Sequence, residues 1–276
     1  MTRKNLRSKK AVEPVVATII ITATIIALVT VAMIFANNLL MASVAQSDFN
    51  SAKQYMQSVA MQIDDVAWQI GQTETVSYST RYGAINVLNG ALSYNVSMTP
   101  VTGSTQNYVF STGIIYFYMP VSYYSLANNY FSQVWPLKVS NLVNNGSSSP
   151  VATVFAIEKM PMSDGEYIRV VVAPVLRLIQ SSIAATNYLS LYLPILSLAS
   201  SPRLSQSVTL KGNSISTNTL NSVKSLSVTV SFPNSASGFD NTFFNFPLTT
   251  QSIPIQGTCV AQLYTGSVGV SLGANE

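Results

Sequence analysis

The sequence predicts an α+β protein in which a long N-terminal α-helix precedes an antiparallel β-sandwich head. Residues 15–36 form an apolar run without a charge, and neither Gly nor Pro interrupts the chain between Pro14 and Gly71. From about Thr75 the composition changes to Ser, Thr, Asn, Val and Tyr with scattered Pro and Gly, which is typical of short strands and turns. We therefore expect a leader at 1–10, a helix at 11–71 and a β-rich head at 75–276.

The composition argues against an enzyme or a metalloprotein. Only 9% of the 276 residues are charged, whereas soluble globular proteins average about 25%. There is no His and a single Cys, Cys259, so neither an intramolecular disulfide nor a thiolate or imidazole metal site can form. The carboxylates of Asp64, Asp65, Asp164 and Glu166 are explained by a solvated helix surface and a turn. No cofactor, metal or catalytic residue is predicted.

The positive charge is concentrated at the N-terminus. The formal net charge is +4, but five of the 14 Lys and Arg residues lie in the first ten positions, and nine remain elsewhere against ten Asp and Glu. Lys and Arg beside an apolar run keep that end of a chain on the cytoplasmic side of a membrane. The basic character therefore belongs to the leader, and no nucleic-acid partner is expected.

Residues 15–36 are long enough to cross a membrane. At about 1.5 Å per residue this run covers the roughly 30 Å of a hydrocarbon layer. The apolar region of a secretory signal is shorter, about 7 to 15 residues. A removable signal peptide remains an alternative, because Ser43-Val44-Ala45 before Gln46 has the small residues of a signal-peptidase site.

Pro14 marks the predicted cleavage point. Proline lacks an N–H and disfavours helical geometry in the preceding residue, so we expect an extended, protease-accessible stretch around Lys10 and Ala11 in the precursor. After cleavage behind Lys9-Lys10, Pro14 lies in the first helical turn, where a missing N–H costs little. Glu13 is expected to pair with the new ammonium group of Ala11 in its own or a neighbouring chain. Alternatively, it lies at the headgroup level or favours the positive end of the helix.

An apolar seam continues the helix beyond the run. Its members recur at alternating spacings of three and four, which is the pattern of one helix face. Such a seam predicts partners along the helix, and packing against the chain's own head is the alternative. The seam consists of Phe49, Ala52, Met56, Val59, Ile63, Val66 and Ile70.

The segment SKKAVEPVVATIII, residues 8–21, resembles the start of archaeal type IV pilins. In that family a basic pair precedes the cut, and a small residue begins an apolar helix with Pro at the fourth mature position, as Ala11 and Pro14 would here. The resemblance covers about the first 35 residues. Bacterial type IV pilins usually carry Glu at the fifth mature position, where this chain has Val15. The Gly-rich mature start of archaellins is absent, so a non-motile adhesive pilus fits better.

The resemblance implies a structural subunit of an extracellular adhesion filament, which is a helical homopolymer on the cell surface. A class III signal peptidase would cut between Lys10 and Ala11. An assembly ATPase and a membrane platform protein would move the helix from the membrane into the fibre. The head would be immunoglobulin-like. The side chains expected first in the membrane and then in the filament core are Val15, Ile19, Ile20, Ile26, Val29 and Met33.

Short apolar or alternating segments predict the strands of the head. They lie at 91–98, 108–118, 151–157, 167–173, 188–196, 207–210 and 226–232, with a final hairpin of 259–264 and 267–272 around Thr265-Gly266. Asn95 and Asn145 begin N-glycosylation tripeptides, and Asn145 lies in the loop-like NNGSSSP. We expect Asn145 to be the better site for an N-glycan, because Asn95 lies in a predicted strand.

Aromatic residues are frequent in the first half of the head. They predict either an adhesive face or a core and head-to-head contact, and the second interpretation is favoured because aromatic residues in strands usually face a core. The cluster comprises Tyr116, Phe117, Tyr118, Tyr123, Tyr124, Tyr130, Phe131 and Trp135.

Two other functions compete with the filament subunit. One is a cell-surface binding protein that is anchored by the same helix and processed like a pilin but never polymerises. The other is a hydrolase on a membrane stalk, which the absence of His disfavours because no base stands beside a Ser nucleophile.

Overall fold

The protein is a long helix followed by a large, mostly antiparallel β-sheet, as the α+β prediction required. The computed structural model describes residues 9–127, 129–137, 142–158, 165–183, 186–201, 206–255 and 257–273, with side chains from Pro14 onward. The helices are α1 (Lys9–Ala67) and α2 (Asn241–Phe244). The strands are β1 (Thr73–Ser77), β2 (Ala84–Pro100), β3 (Gln106–Pro120), β4 (Phe131–Trp135), β5 (Val143–Asn145), β6 (Ala152–Glu158), β7 (Tyr167–Pro174), β8 (Leu176–Ile183), β9 (Thr186–Ser200), β10 (Ser207–Ser231), β11 (Thr250–Ile253) and β12 (Cys259–Leu272).

The chain divides into two units, Met1–Gln46 and Ser47–Glu276. The described part of the first unit is helical throughout. The second unit contains the C-terminal part of α1 together with every described strand.

Helix α1 begins earlier and ends earlier than the predicted 11–71. It contains Lys10 and Ala11, so the extended conformation expected around that bond is wrong. Pro14 lies inside the helix near its start, where the loss of one N–H removes only the bond to the carbonyl of residue 10. The C-terminal end follows from local bonds: the Gln69 N–H donates to the Val66 carbonyl at 3.2 Å, and Gly71 adopts a φ of 85°.

The described strands form one sheet in the order β4-β6-β7-β3-β2-β10-β12-β9-β8-β5, and β1 and β11 also pair with β10. Neighbouring strands are antiparallel, except that β12 pairs with β9 and β5 pairs with β8 in parallel. Parallel neighbours require a crossover connection, which adjacent segments in the sequence did not indicate.

The predicted final hairpin is wrong. Residues 259–272 form the single strand β12, which keeps a regular register with β9 through Thr265 and Gly266. Gly266 is explained by packing instead of a turn, because a Cβ atom there would lie 2.2 Å from the carbonyl oxygen of Ala67. A Cβ at Gly212 would similarly lie 2.5 Å from the Val66 carbonyl oxygen, so two glycines admit the end of α1 against the sheet.

The segments 207–210 and 226–232, predicted as separate strands, are the two ends of the 25-residue strand β10. Its hydroxyl- and amide-rich centre continues the strand because β12 pairs along it from Val208 to Val223. Register shifts occur between Gly212 and Ser214 and between Leu220 and Val223.

The core of the second unit contains contacts among the strands and contacts between α1 and the rest of the unit. One face of the sheet carries a cluster of buried apolar residues that includes Tyr94, Ile114, Val171 and Leu191. On α1, Phe49 contacts the ring of Tyr124 with centroids 5.7 Å apart. Apolar side chains of different strands therefore pack against one another, and the C-terminal part of α1 packs against the second unit as well.

Candidate assembly surface

The N-terminal part of α1 exposes an apolar surface on every side. Each residue from 14 to 43 is exposed, and the helix satisfies the length and composition of a membrane span. The side chains predicted to enter a membrane or filament core are all among them. Their exposed fractions are 57% for Val15, 62% for Ile19, 60% for Ile20, 61% for Ile26, 47% for Val29 and 68% for Met33.

The hydroxyl groups of this run are satisfied within the helix. Thr22, Thr24 and Thr30 each donate to the carbonyl four residues earlier at 2.8 Å. Thr18 lies 2.9 Å from the carbonyl oxygens of both Pro14 and Val15. These threonines therefore present methyl groups without an unmet hydrogen-bond donor, which suits an environment without water.

The cleavage and pairing predictions fall partly outside the described side chains. Lys9, Lys10, Ala11 and Glu13 belong to the helical backbone of α1, but their side chains are not described. The cut between Lys10 and Ala11 and the pairing of Glu13 with the Ala11 ammonium group therefore stay predictions.

The seam of α1 packs inside the second unit, which is the alternative that the sequence left open. Phe49 and Ala52 are 2% exposed, and Met56, Val59, Ile63 and Val66 are fully buried. Ile70 is a correction: it lies beyond the end of the helix and is 68% exposed. The seam stops at Val66 because the backbone turns at Gln69 and Gly71 to reach β1.

Asp64 has a structural partner that the sequence did not indicate. Its carboxylate accepts hydrogen bonds from the Arg177 guanidinium at 3.1 and 3.2 Å and from the Trp68 indole N–H at 3.0 Å. The same guanidinium lies over the Tyr192 ring, 5.0 Å from its centroid. Asp64 is thus more than a solvated helix residue, whereas Asp65 is exposed. The two partners are 113 residues apart, so no local pattern signals the pair.

The other acidic candidates are exposed or lie outside the described residues. Glu166 is exposed next to β7, and Asp164 lies outside the described residues. A further carboxylate, Asp48, accepts the backbone N–H groups of Arg81 and Tyr82 at 2.7 and 2.9 Å and so holds the segment before β2. Among the described residues, no group of three or more His, Cys, Asp or Glu side chains is arranged to hold a metal ion.

Two buried tyrosines in the second unit have strongly raised pKa values. Burial raises the pKa of Tyr55, and the neighbouring Tyr78 adds to the shift. The Tyr55 hydroxyl has no hydrogen-bond partner among the described residues. Burial also raises the pKa of Tyr94, whose hydroxyl donates to the Pro174 carbonyl at 2.8 Å. Both phenols are therefore held in the neutral form.

The predicted aromatic cluster does not form one face. Phe117 is fully buried and Tyr123 is 40% exposed, while the other six members are half-buried. Tyr116 contacts Phe239 at 5.5 Å between centroids, whereas Tyr124 contacts Phe49 of α1. These contacts resemble core packing more than a continuous adhesive surface.

The two glycosylation candidates differ in accessibility. Asn145 is exposed at the end of β5, and Asn95 is half-buried within β2 between Thr229 and Val109 of the neighbouring strands. An N-glycan needs an accessible amide nitrogen, so Asn145 remains the better candidate.

Comparison with known proteins identifies no relative. The chain matches no protein-family model, no curated protein and no solved structure.

Proposed function

We propose that this protein is the structural subunit of an archaeal type IV pilus or a related adhesion filament, and that it polymerises through the apolar part of α1. One observation carries the proposal: residues 14–43 are all exposed, uncharged and mostly apolar, whereas the seam of the same helix is buried by its own unit. An apolar surface of this extent needs a lipid or protein environment.

In the proposed mechanism, the apolar run of residues 15–36 passes from the membrane into the core of the filament. In the precursor, residues 15–36 lie in the cytoplasmic membrane, and a class III signal peptidase cuts between Lys10 and Ala11. An assembly ATPase and a membrane platform protein then bring the run against the same run of neighbouring copies. Fully burying one exposed Ile or Val side chain contributes about 1.5 to 3 kcal/mol relative to water. Lipid provides much of the same burial, so close packing between helices and Glu13 pairing favour the filament.

The head is proposed to be an immunoglobulin-like sandwich. Strands β3 and β9 are not neighbours in the sheet, yet the Thr112 hydroxyl donates to the Pro194 carbonyl at 3.2 Å and accepts from the Leu196 N–H at 3.0 Å. Contact between distant strands supports a sheet that folds over itself. On the filament surface, an exposed Asn145 would accept an N-glycan.

A second candidate function is a membrane-anchored cell-surface binding protein that does not polymerise. The same exposed run supports it, because its length and composition fit a single membrane span. The two functions differ in what surrounds the apolar run. In a filament it would contact the same run of other copies, whereas in a membrane anchor it would contact lipid alone.

The test is to express the full chain with a class III signal peptidase and an archaeal pilus assembly system. N-terminal sequencing and electron microscopy of sheared surface material are expected to show a mature chain that begins at Ala11 and forms fibres. The double variant Ile26→Ala, Met33→Ala keeps an apolar span but loses packing area, so fibre yield is expected to fall severalfold.

The matched control is Leu248→Ala, which truncates an exposed apolar residue of the second unit and is expected to leave the fibre yield unchanged. A mature chain that begins at Gln46 would contradict the proposal. A correctly cut chain that stays dispersed in the membrane would favour the anchored binding protein.

A further inference from the structure

The centre of β10 is paired on only one side. Strand β12 runs along that side from Val208 to Val223. At the two ends of this stretch, the opposite side is taken by β1 for Ser207 to Lys211 and by β2 from Val223 onward. No described strand pairs with residues 213–221 on that opposite side.

This arrangement creates a recess in the sheet that is one strand wide. It is closed at one end by Gly212, which exchanges backbone hydrogen bonds with Gly71 and Gln72, and at the other by Ser222, whose carbonyl accepts from the Val101 N–H. Nine residues at about 3.3 Å each give the recess a length of roughly 30 Å.

The recess is open to solvent. Residues 213–217 are exposed on both faces of the strand, whereas on either side of the recess Leu210, Leu226 and Val228 are buried. Three exposed apolar side chains lie on or next to it: Ile215 within it, Ile70 close to one end and Val101 at the other.

The chemistry of this edge is unusual for an unpaired strand. Proteins protect open edges with charged side chains, Pro or β-bulges. Register shifts occur only near the two ends of the recess, and its sequence NSISTNTLN contains neither a charge nor Pro. Lys211 and Lys224 stand outside its two ends. An uncharged, hydroxyl-rich edge of this length is suited to accept a further strand by backbone pairing.

We propose that the recess accepts an edge strand from the head of a second copy of this chain, and that this strand is β4. Strand β4 ends the strand order of the sheet, and only β6 pairs with it among the described strands. Its five residues, FSQVW, are uncharged and shorter than the recess. The resulting contact would extend one sheet into the next.

Other occupants of the recess fit less well. Two recesses cannot face each other, because β1 and β2 project beside each of them. Strand β1 carries Glu74, and β5 and β11 have only three and four residues. Since the recess and β4 are different surfaces, their contact does not close on itself and can repeat along a fibre. The contact uses second-unit residues only, so it does not require the apolar run.

The test is chemical cross-linking of the full chain in detergent, where micelles shield the apolar run. The double variant Thr217→Cys, Ser132→Cys places one thiol in the recess and one on β4, and treatment with a short bismaleimide is expected to give dimers and a ladder of larger species. The native Cys259 is 3% exposed, and the single variants measure its background.

The matched control is Thr229→Cys, Ser132→Cys. Thr229 lies on the same strand but is paired on both sides, by β2 and β11, so severalfold less cross-linked product is expected. Equal yields from the two double variants would overturn the proposal, even if fibres form on cells. Selective cross-linking of the Thr217 variant without fibres would support the recess contact and count against the helix-driven filament instead.

Discussion

The two parts of helix α1 share one backbone conformation but have opposite surfaces. Residues 15–36 are exposed and present apolar side chains on all sides, whereas from Phe49 to Val66 apolar residues form one stripe that the second unit buries. Polar residues such as Lys53 and Asp65 occupy the remaining sides of the second part. A stripe needs a partner on one side, while an apolar surface all around needs an environment that surrounds it.

The largest difference between the two parts is expected from matched isoleucines. Ile63→Ala should lower the free energy of unfolding of the second unit by about 2 to 5 kcal/mol, because it removes a fully buried side chain and leaves a cavity. Ile26→Ala should leave that free energy unchanged, because Ile26 is 61% exposed. Denaturant unfolding of the full chain in detergent, followed by Trp fluorescence, measures both. Equal losses would contradict the expected difference between the two parts of the helix, and a negligible loss for Ile63→Ala would show that the seam is not a core element.

A smaller effect is expected from the neighbouring acids on the packed part. Asp64→Asn should destabilise the second unit by about 1 to 3 kcal/mol, because the Arg177 guanidinium, 11% exposed, loses its counter-charge. Asp65→Asn changes the adjacent exposed carboxylate and should cost less than about 0.5 kcal/mol. Thermal unfolding at low and high salt compares the two variants. If both melted like the parent, the ion pair would not hold α1 to β8.

A small effect at neutral pH is expected from Tyr55→Phe, which removes a buried hydroxyl without a described partner and should change the free energy of unfolding by less than about 1 kcal/mol. Tyr94→Phe removes a made hydrogen bond and should cost about 1 kcal/mol.

The effect of Tyr55→Phe is expected to depend on pH in the alkaline range. Burial raises the pKa of Tyr55 in the folded state, so on raising the pH the unfolded state loses the Tyr55 proton first, near pH 10. The contribution of Tyr55 to the free energy of unfolding is therefore fully present below about pH 10 and is lost as the pH rises further. Tyr55→Phe should therefore reduce the loss of stability in a titration from pH 8 to about pH 11. An unchanged alkaline profile would show that Tyr55 does not titrate with folding.

The helix and much of the sheet were predictable because their signals are local. The run of residues 15–36 follows from its composition, and the seam as far as Val66 follows from apolar periodicity within one element. Apolar or alternating segments place most of β3, β6, β7 and β9 but less than half of β2. The short strands β1, β4, β5 and β11 have three to five residues each and carry too little periodicity to be recognised. Strand β8, at eight residues, was also missed, because its second half is Ser-rich and exposed.

The failures arose where distant residues decide the conformation. In the sequence, Gly266 resembles a turn residue. A glycine is needed there because the carbonyl of Ala67, almost 200 residues earlier in the chain, leaves no room for a Cβ atom. The polar centre of β10 is a strand because β12 pairs with it, and Asp64 is held by Arg177. Of the two surfaces proposed for assembly, the apolar run was predicted from composition, whereas the recess of β10 is defined by the registers of its pairings with β12, β1 and β2.

Electron cryo-microscopy of the assembled fibre would show whether the apolar run of α1 forms the fibre axis. We expect the mature chain to begin at Ala11 and residues 15–36 of several copies to pack side by side at the fibre axis, with the sheets outside. A fibre whose axis is formed by the sheets, or a mature chain that lacks the apolar run, would contradict this expectation.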